Sequence, residues 1–133
     1  MCGIAGIINI VGNPIKIDRL VQMSAAQIVR GPDDEGFVLI DDSKKQYSYA
    51  GENSSDITKS KYPNINAGKS IDSVIGVAHQ RFSILDVSEA GHQPWINNDN
   101  NTVLVFNGEI YNYIELRKEL EELGFGPFTS KTD

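Results

Sequence analysis

One cysteine, two histidines and one tryptophan are all that the chain of 133 residues holds of those types. A lone cysteine, Cys2, cannot form an internal disulfide, which fits a reducing cytoplasm. Cys2, His79 and His92 are the only soft ligand candidates, and they show no short metal-ligand spacing, so no metal site is expected. Basic residues are also few: 12 Lys and Arg against 18 Asp and Glu leave a net charge of −6. That balance argues against a protein that tracks nucleic-acid phosphates and suits a solvated acidic surface. Long apolar runs are missing too, none approaching the roughly 18–20 residues that cross a membrane. The opening MCGIAGIINI has neither the basic n-region nor the small-residue cleavage site of a secretory signal. Internal repeats and low-complexity tracts are absent. What is left is a chain long enough for one domain and one core, expected in the cytoplasm with no membrane or nucleic-acid partner.

Apolar patterning outlines that domain. Cys2 to Ile10 reads as a buried strand in which Gly3 and Gly6 allow close backbone approach. Ile17, Leu20, Val21, Ala25 and Ile28 recur at helical spacing, and Gly31-Pro32 is expected to stop the helix through an αL glycine cap. Phe37–Ile40 and Gln46–Ala50 predict two strands joined by a polar turn. Residues 51–72, polar and rich in Ser, Asn, Lys and Gly, read as a long surface loop or insertion. Val74–Ala78 predicts a strand leading into His79-Gln80-Arg81, with further strands at Phe82–Leu85 and Thr102–Phe106. Asn112 and Glu115 fit an N-cap with a reciprocating glutamate, Tyr113, Leu116, Leu120 and Leu123 an apolar stripe, and Gly124 a helix end. Adjacent strands with only two helices indicate α+β with antiparallel sheet. Because no strand follows Phe125–Asp133, the chain is expected to be the front part of something longer.

The chemistry collects at strand ends and turns. Behind Met1, Cys2 would carry a thiol and an α-amine on one residue once the methionine is removed. The ordinary pKa values, about 8.5 and about 7.7–8.0, make the amine a usable base for the thiol. The plainer alternative is a small buried hydrophobe. Arg81 sits between apolar residues, where its planar guanidinium can grip a carboxylate with two parallel hydrogen bonds or make an ordinary salt bridge. Asn107-Gly108 can supply a side-chain amide and an unhindered N–H as an oxyanion hole, or merely a tight turn. Glu109 could hold an ammonium group or simply face solvent. Together these groups suit a ligand with a carboxylate, an ammonium and a carbonyl that a thiol attacks, and glutamine has all three.

Five ordered motifs carry a resemblance. CGIAG behind Met1, RGPDDEG at 30–36, HQRFSILD at 79–86, GHQPW at 91–95 and FNGEIYNYIELRKEL from 106 resemble the N-terminal glutaminase domain of glutamine-hydrolysing asparagine synthetases. The Cys-Gly-Ile start alone is shared by class II glutamine amidotransferases. Glucosamine-6-phosphate synthase and amidophosphoribosyltransferase differ around the arginine and the Asn-Gly pair.

The resemblance implies an N-terminal nucleophile hydrolase fold, a four-layer αββα sandwich with antiparallel sheets, here incomplete. Residues 1–133 would be a type-2 glutamine amidotransferase domain without its C-terminal part. Cys2 would be the nucleophile that forms a γ-glutamyl thioester and releases ammonia, with Asn107 and Gly108 as the oxyanion hole. Arg81 would bind the glutamine α-carboxylate, the backbone of Phe82, Ser83, Ile84 and Leu85 would line the pocket, and Glu109 and Asp133 would meet the α-amine. Arg30 and the acidic run after Pro32 look structural, forming a turn near the pocket. ATP and Mg²⁺ would belong to a synthetase domain beyond this segment, which adenylates aspartate and can form a homodimer in the complete enzymes. Two other readings stand beside it: an asparagine-synthetase-like enzyme amidating another carboxylate such as a sugar acid, and a non-catalytic glutamine-binding module.

Overall fold

The computed structural model describes all residues except Gly12, Leu85, Asn98, Asn100, Thr132 and Asp133. Its strands are β1 (Gly3–Ile8), β2 (Asp34–Asp41), β3 (Gln46–Ala50), β4 (Ser73–Arg81), β5 (Trp95–Asn97) and β6 (Thr102–Leu104). Its α-helices are α1 (Ile17–Ala25), α2 (Asp56–Lys61) and α3 (Tyr113–Glu122). Four strands form one antiparallel sheet in the order β1-β4-β2-β3, and β5 and β6 pair as a second, two-stranded sheet. The architecture is α+β with antiparallel sheet, as the patterning implies.

Strand alternation divides the large sheet into two faces. Ala5, Ala78, Phe37, Leu39 and Tyr49 point to one face, where Ile15, Ile17, Leu20 and Ile65 close the core over them. Leu20, Phe37 and Leu39 have no exposed surface, and each such side chain contributes roughly 1.5–3 kcal/mol of hydrophobic stabilisation. On the other face, Ile4, His79, Gly36 and Ala50 lie in one row across the sheet. The 92–106 segment lies against that face: His92 meets Asp34 and packs with Gln93 on Gly36, Gln46 donates to Asn101 Oδ1 at 2.7 Å, and His79 meets the carbonyl of Phe106. Over β1 the face is open, with Ile4 39% and Ile8 68% exposed.

Several expectations are corrected. Residues 51–72 are not a long loop: α2 and a 3₁₀ turn at Ile65–Ser70 occupy them, and Ser54, Thr58, Ile65 and Gly68 are buried. Polar side chains there are buried because they hydrogen-bond to the sheet, which composition does not reveal. α1 ends at Ala25 and a 3₁₀ turn follows at Ile28–Arg30. Gly31 is no αL cap, since its φ is −151°. It is required for close approach, because a Cβ there would lie 2.3 Å from the carbonyl oxygen of Gln80.

The strand expected at Val74–Ala78 continues through His79, Gln80 and Arg81 as β4, and Phe82–Ile84, expected as strand with Leu85, are not strand; Leu85 lies outside the described residues. β6 stops at Leu104 instead of Phe106. Asn112 flanks α3 without a side-chain cap bond, and no residue of α3 is buried, so its stripe of Leu116 and Leu120 is partly exposed. Gly124 does close that helix, at φ +87°. Trp95, the aromatic residue of GHQPW, is half-exposed at the start of β5.

Candidate active site

The site begins where β1 and β4 run out together. Gly3 pairs with Gln80, so one step further along the antiparallel ladder Cys2 comes opposite Arg81. The Phe82 backbone N–H donates to Cys2 Sγ at 3.4 Å, and the sulfur lies 3.9 Å from the Phe82 carbonyl oxygen. Arg30 Nε donates to the Cys2 carbonyl at 3.1 Å from the turn that follows α1. Cys2 is half-buried and Met1 is 74% exposed, which places the thiol at a rim and the methionine in solvent. A buried structural cysteine, the plainer alternative, does not describe this residue.

Arg81 is 8% exposed and makes no ion pair among the described residues. Nη1 donates to the Ser88 carbonyl at 2.7 Å and Nη2 to the Asp86 carbonyl. The guanidinium thus spends two of its five N–H donors on its own following loop, and the other three have no hydrogen-bond partner among the described residues. It lines a cleft of about 310 Å³ together with Asp33, Asp34, Ser55, Ser83 and Ser88. Phe82 lies at a second hollow beside the N-terminus, with Met1, Arg30 and Pro32, so this residue stands between the thiol and the arginine cleft.

The acidic run after Pro32, expected to form a turn, enters β2 at Asp34, and each of its carboxylates has specific partners. Asp33 Oδ2 accepts from Ser83 N at 2.7 Å, holding the chain beyond Arg81. Asp34, buried on β2 opposite Arg81, meets His92 Nδ1 at 2.6 Å. A carboxylate only accepts, so that ring nitrogen carries the proton. Burial alone would raise the Asp34 pKa, but hydrogen bonds from His92, Ser55 N–H and Thr58 outweigh it and hold the carboxyl below its ordinary value. Glu35 faces the helix side of the sheet and is buried with Ser24 and Gln80.

Asn107, Gly108 and Glu109 are exposed in the stretch after β6. Their anchor is Phe106, whose N–H donates to Gln93 Oε1 at 2.6 Å and whose carbonyl lies 3.2 Å from His79 Nε2. A carbonyl can only accept, so His79 Nε2 carries the proton. Burial, opposed by that carbonyl, pushes the His79 pKa down to about 4 and keeps the imidazole neutral. His79 shares a sheet face with Arg81, two residues on, which ties the Asn-Gly turn to the strand that ends at the site. Among the described residues, Asn107 and Gly108 make no hydrogen bond to Cys2 or Arg81.

The structure therefore gathers Cys2, Arg81, Phe82 and Ser83 at one sheet end and tethers Asn107, Gly108 and Glu109 through His79. Ile84 is 63% exposed, while Leu85 and Asp133 lie outside the described residues. Sequence reasoning missed Arg30 as a ligand of the Cys2 carbonyl and His79 and His92 as tethers. The i,i+2 spacing of His79 and Arg81 was the one available signal for His79. Among the described residues no group of three or more His, Cys, Asp or Glu could hold a metal ion. No helix among them is long and apolar enough to cross a membrane.

Residues 63–133, more than half of the chain, match the family model of the glutamine amidotransferase domain. The chain belongs to the glutamine amidotransferases. Within that family it is 37% identical over 123 residues, 90% of the chain, to asparagine synthetase [glutamine-hydrolyzing] 2 of Bacillus subtilis, covering 12% of that protein. It is 52% identical over 54 residues, 41% of the chain, to asparagine synthetase [glutamine-hydrolyzing] 1 of the same organism, covering 8% of it. To the glutamine–fructose-6-phosphate aminotransferase [isomerizing] of Clostridium perfringens it is 31% identical along its full length, covering 20% of that protein. The chain thus spans a fifth or less of these curated relatives.

Proposed function

We propose that this chain is the glutamine-hydrolysing part of an asparagine synthase. The observation that carries the reading is the placement of Cys2 and Arg81 opposite each other at the open end of β1 and β4, with the Phe82 N–H on the sulfur. With Met1 removed, the Cys2 α-amine takes the thiol proton and Sγ bonds to the carbonyl carbon of the glutamine side-chain amide. The negative charge on the amide oxygen meets the Asn107 side chain and the Gly108 N–H. Collapse of the tetrahedral species breaks the C–N bond, and the proton held by the amine leaves with ammonia. Water then attacks the γ-glutamyl thioester, yielding glutamate and the free thiol. Arg81 binds the α-carboxylate through its remaining donors, and Glu109 and Asp133 meet the α-ammonium.

On this reading the large sheet is one of the two central layers of an αββα sandwich, with the open face over Ile4 and Ile8 turned inward. The ammonia feeds ATP-dependent amidation of aspartate to asparagine. ATP and Mg²⁺ act in a C-terminal synthetase domain, and none of the described residues is assigned to them. A sugar acid in place of aspartate is the alternative acceptor, a choice made outside this segment. The cytoplasm is the compartment proposed for either enzyme.

The test is glutamate release from glutamine by the intact protein, with its N-terminal mass determined. Met1 should be absent, and Cys2→Ala should abolish hydrolysis. Undiminished release by Cys2→Ala would overturn the assigned nucleophile. Adding aspartate or a uronic acid with ATP then reads the acceptor from the amide formed.

A further inference from the structure

An arginine that must receive a carboxylate has a long, freely rotating side chain, and something has to hold it ready. Here the holder is the loop from Asp86 to His92. Its carbonyls at Asp86 and Ser88 accept from the two Nη atoms, and its third wall is Gly91. A Cβ on Gly91 would lie 2.2 Å from Arg81 Nη2 and 2.8 Å from Cζ, so only a residue without a side chain leaves the guanidinium in place.

The loop is fixed at both ends. Asp86 Oδ1 accepts from Ser88 N and Oδ2 from Lys131 N, each at 2.8 Å. At the other end His92 bonds to Asp34, the residue paired with Arg81 across β2 and β4. The 51–62 segment backs this clasp: Ser55 N and Thr58 Oγ1 donate to Asp34 at 2.9 and 3.2 Å, and Tyr62 stacks on the His92 ring at 5.4 Å.

We propose that Gly91 and His92 are positioning residues that set the Arg81 guanidinium for the α-carboxylate of an α-amino-acid substrate, with the 51–62 segment as their buttress. The inference rests on the glutaminase reading and gives the polar segment a role that its composition does not suggest. Neither residue touches substrate or thiol, so their loss acts on binding of the carboxylate and not on the reacting bond.

In the intact protein, Gly91→Ala should raise KM for glutamine roughly tenfold or more while kcat stays within about twofold, as expected when a binding group is displaced by an ångström or two. His92→Ala should do the same, and His92→Asn, which returns an N–H to Asp34, should recover most of the affinity. Alkylation of Cys2 separates positioning from general damage. A diazoketone analogue of glutamine, which carries the carboxylate, should label the variants more slowly, whereas iodoacetamide, which lacks it, should label all of them at the wild-type rate.

Unchanged KM in Gly91→Ala and His92→Ala alongside wild-type hydrolysis overturns the inference alone. Equal slowing with both reagents also overturns it, since that reports a damaged fold. No glutamate release from the wild-type protein overturns the glutaminase reading and this inference with it. Should Gly91→Ala fail to fold, the contrast of His92→Ala with His92→Asn decides.

Discussion

Arg30 Nε donates to the carbonyl oxygen of Cys2 at 3.1 Å, across 28 positions of sequence. An N-terminal residue is ordinarily the most mobile part of a chain, since nothing restrains it from one side. Here the thiol-bearing residue is held twice, by Arg30 on its carbonyl and by the Phe82 N–H on its sulfur.

Arg30→Ala should therefore reduce kcat for glutamine hydrolysis by about tenfold to a hundredfold, the scale on which misplacement of a nucleophile acts. KM should change little, because Arg81 is untouched, and the melting temperature should hold, because Arg30 is exposed. Steady-state kinetics with a thermal melt reads all three. An unchanged kcat would show that the Cys2 carbonyl needs no anchor.

A second expectation concerns the helix side of the sheet. Ser24 Oγ donates to Glu35 Oε1 at 2.9 Å, and Gln80 Nε2 donates to both of them, at 2.9 and 2.6 Å, with all three residues buried. Gln80 precedes Arg81, so this network fixes the strand end from below. Ser24→Ala should cost about 1–3 kcal/mol in urea unfolding, the penalty for leaving buried polar partners unmet. Combined with Gln80→Leu, the loss should be less than additive by at least about 0.5 kcal/mol, the mark of residues that share one network. Strict additivity would mean that the three act independently.

The parts of this arrangement differ in how legible they are in the sequence. The strand at Gln46–Ala50 and the helix end at Gly124 agree with the patterning, because alternation and a left-handed glycine are local signals. Cys2, Arg81 and Asn107-Gly108 stand out for the same reason: each is a chemically distinctive group next to apolar sequence. The 51–72 segment misleads because burial of Ser54 and Thr58 depends on partners, Glu35 and Asp34, that lie on another strand. The Asp34–His92 clasp joins residues 58 positions apart and has no periodic signature. Phe82–Ile84 read as strand from composition, yet β4 ends at Arg81, where the Asp33 carboxylate takes the Ser83 N–H that a neighbouring strand would otherwise accept.

His79 gives a pH dependence whose sign can be worked out. Its pKa falls from an ordinary 6.5 to about 4 in the folded protein, chiefly through burial. Between those values the unfolded chain binds a proton that the folded chain refuses. The stability linked to this group is therefore complete above about pH 6.5 and drains away as the pH falls toward 4, by on the order of 3 kcal/mol in all. His79→Gln keeps an N–H for the Phe106 carbonyl but cannot titrate. Urea midpoints measured at intervals from pH 7.5 to 4.5 should show the wild type losing about 2–3 kcal/mol relative to this variant, with the curves level above pH 7. The Asp34 carboxyl, held below its ordinary 3.8, titrates outside this window and is common to both proteins. Because His79 carries the Phe106 carbonyl next to Asn107, glutamine hydrolysis by the wild type should also fall more steeply than that of the variant as the imidazole is forced to charge. Parallel stability curves would mean that the His79 pKa is the same in the folded and unfolded states, so that burial does not disfavour its charged form.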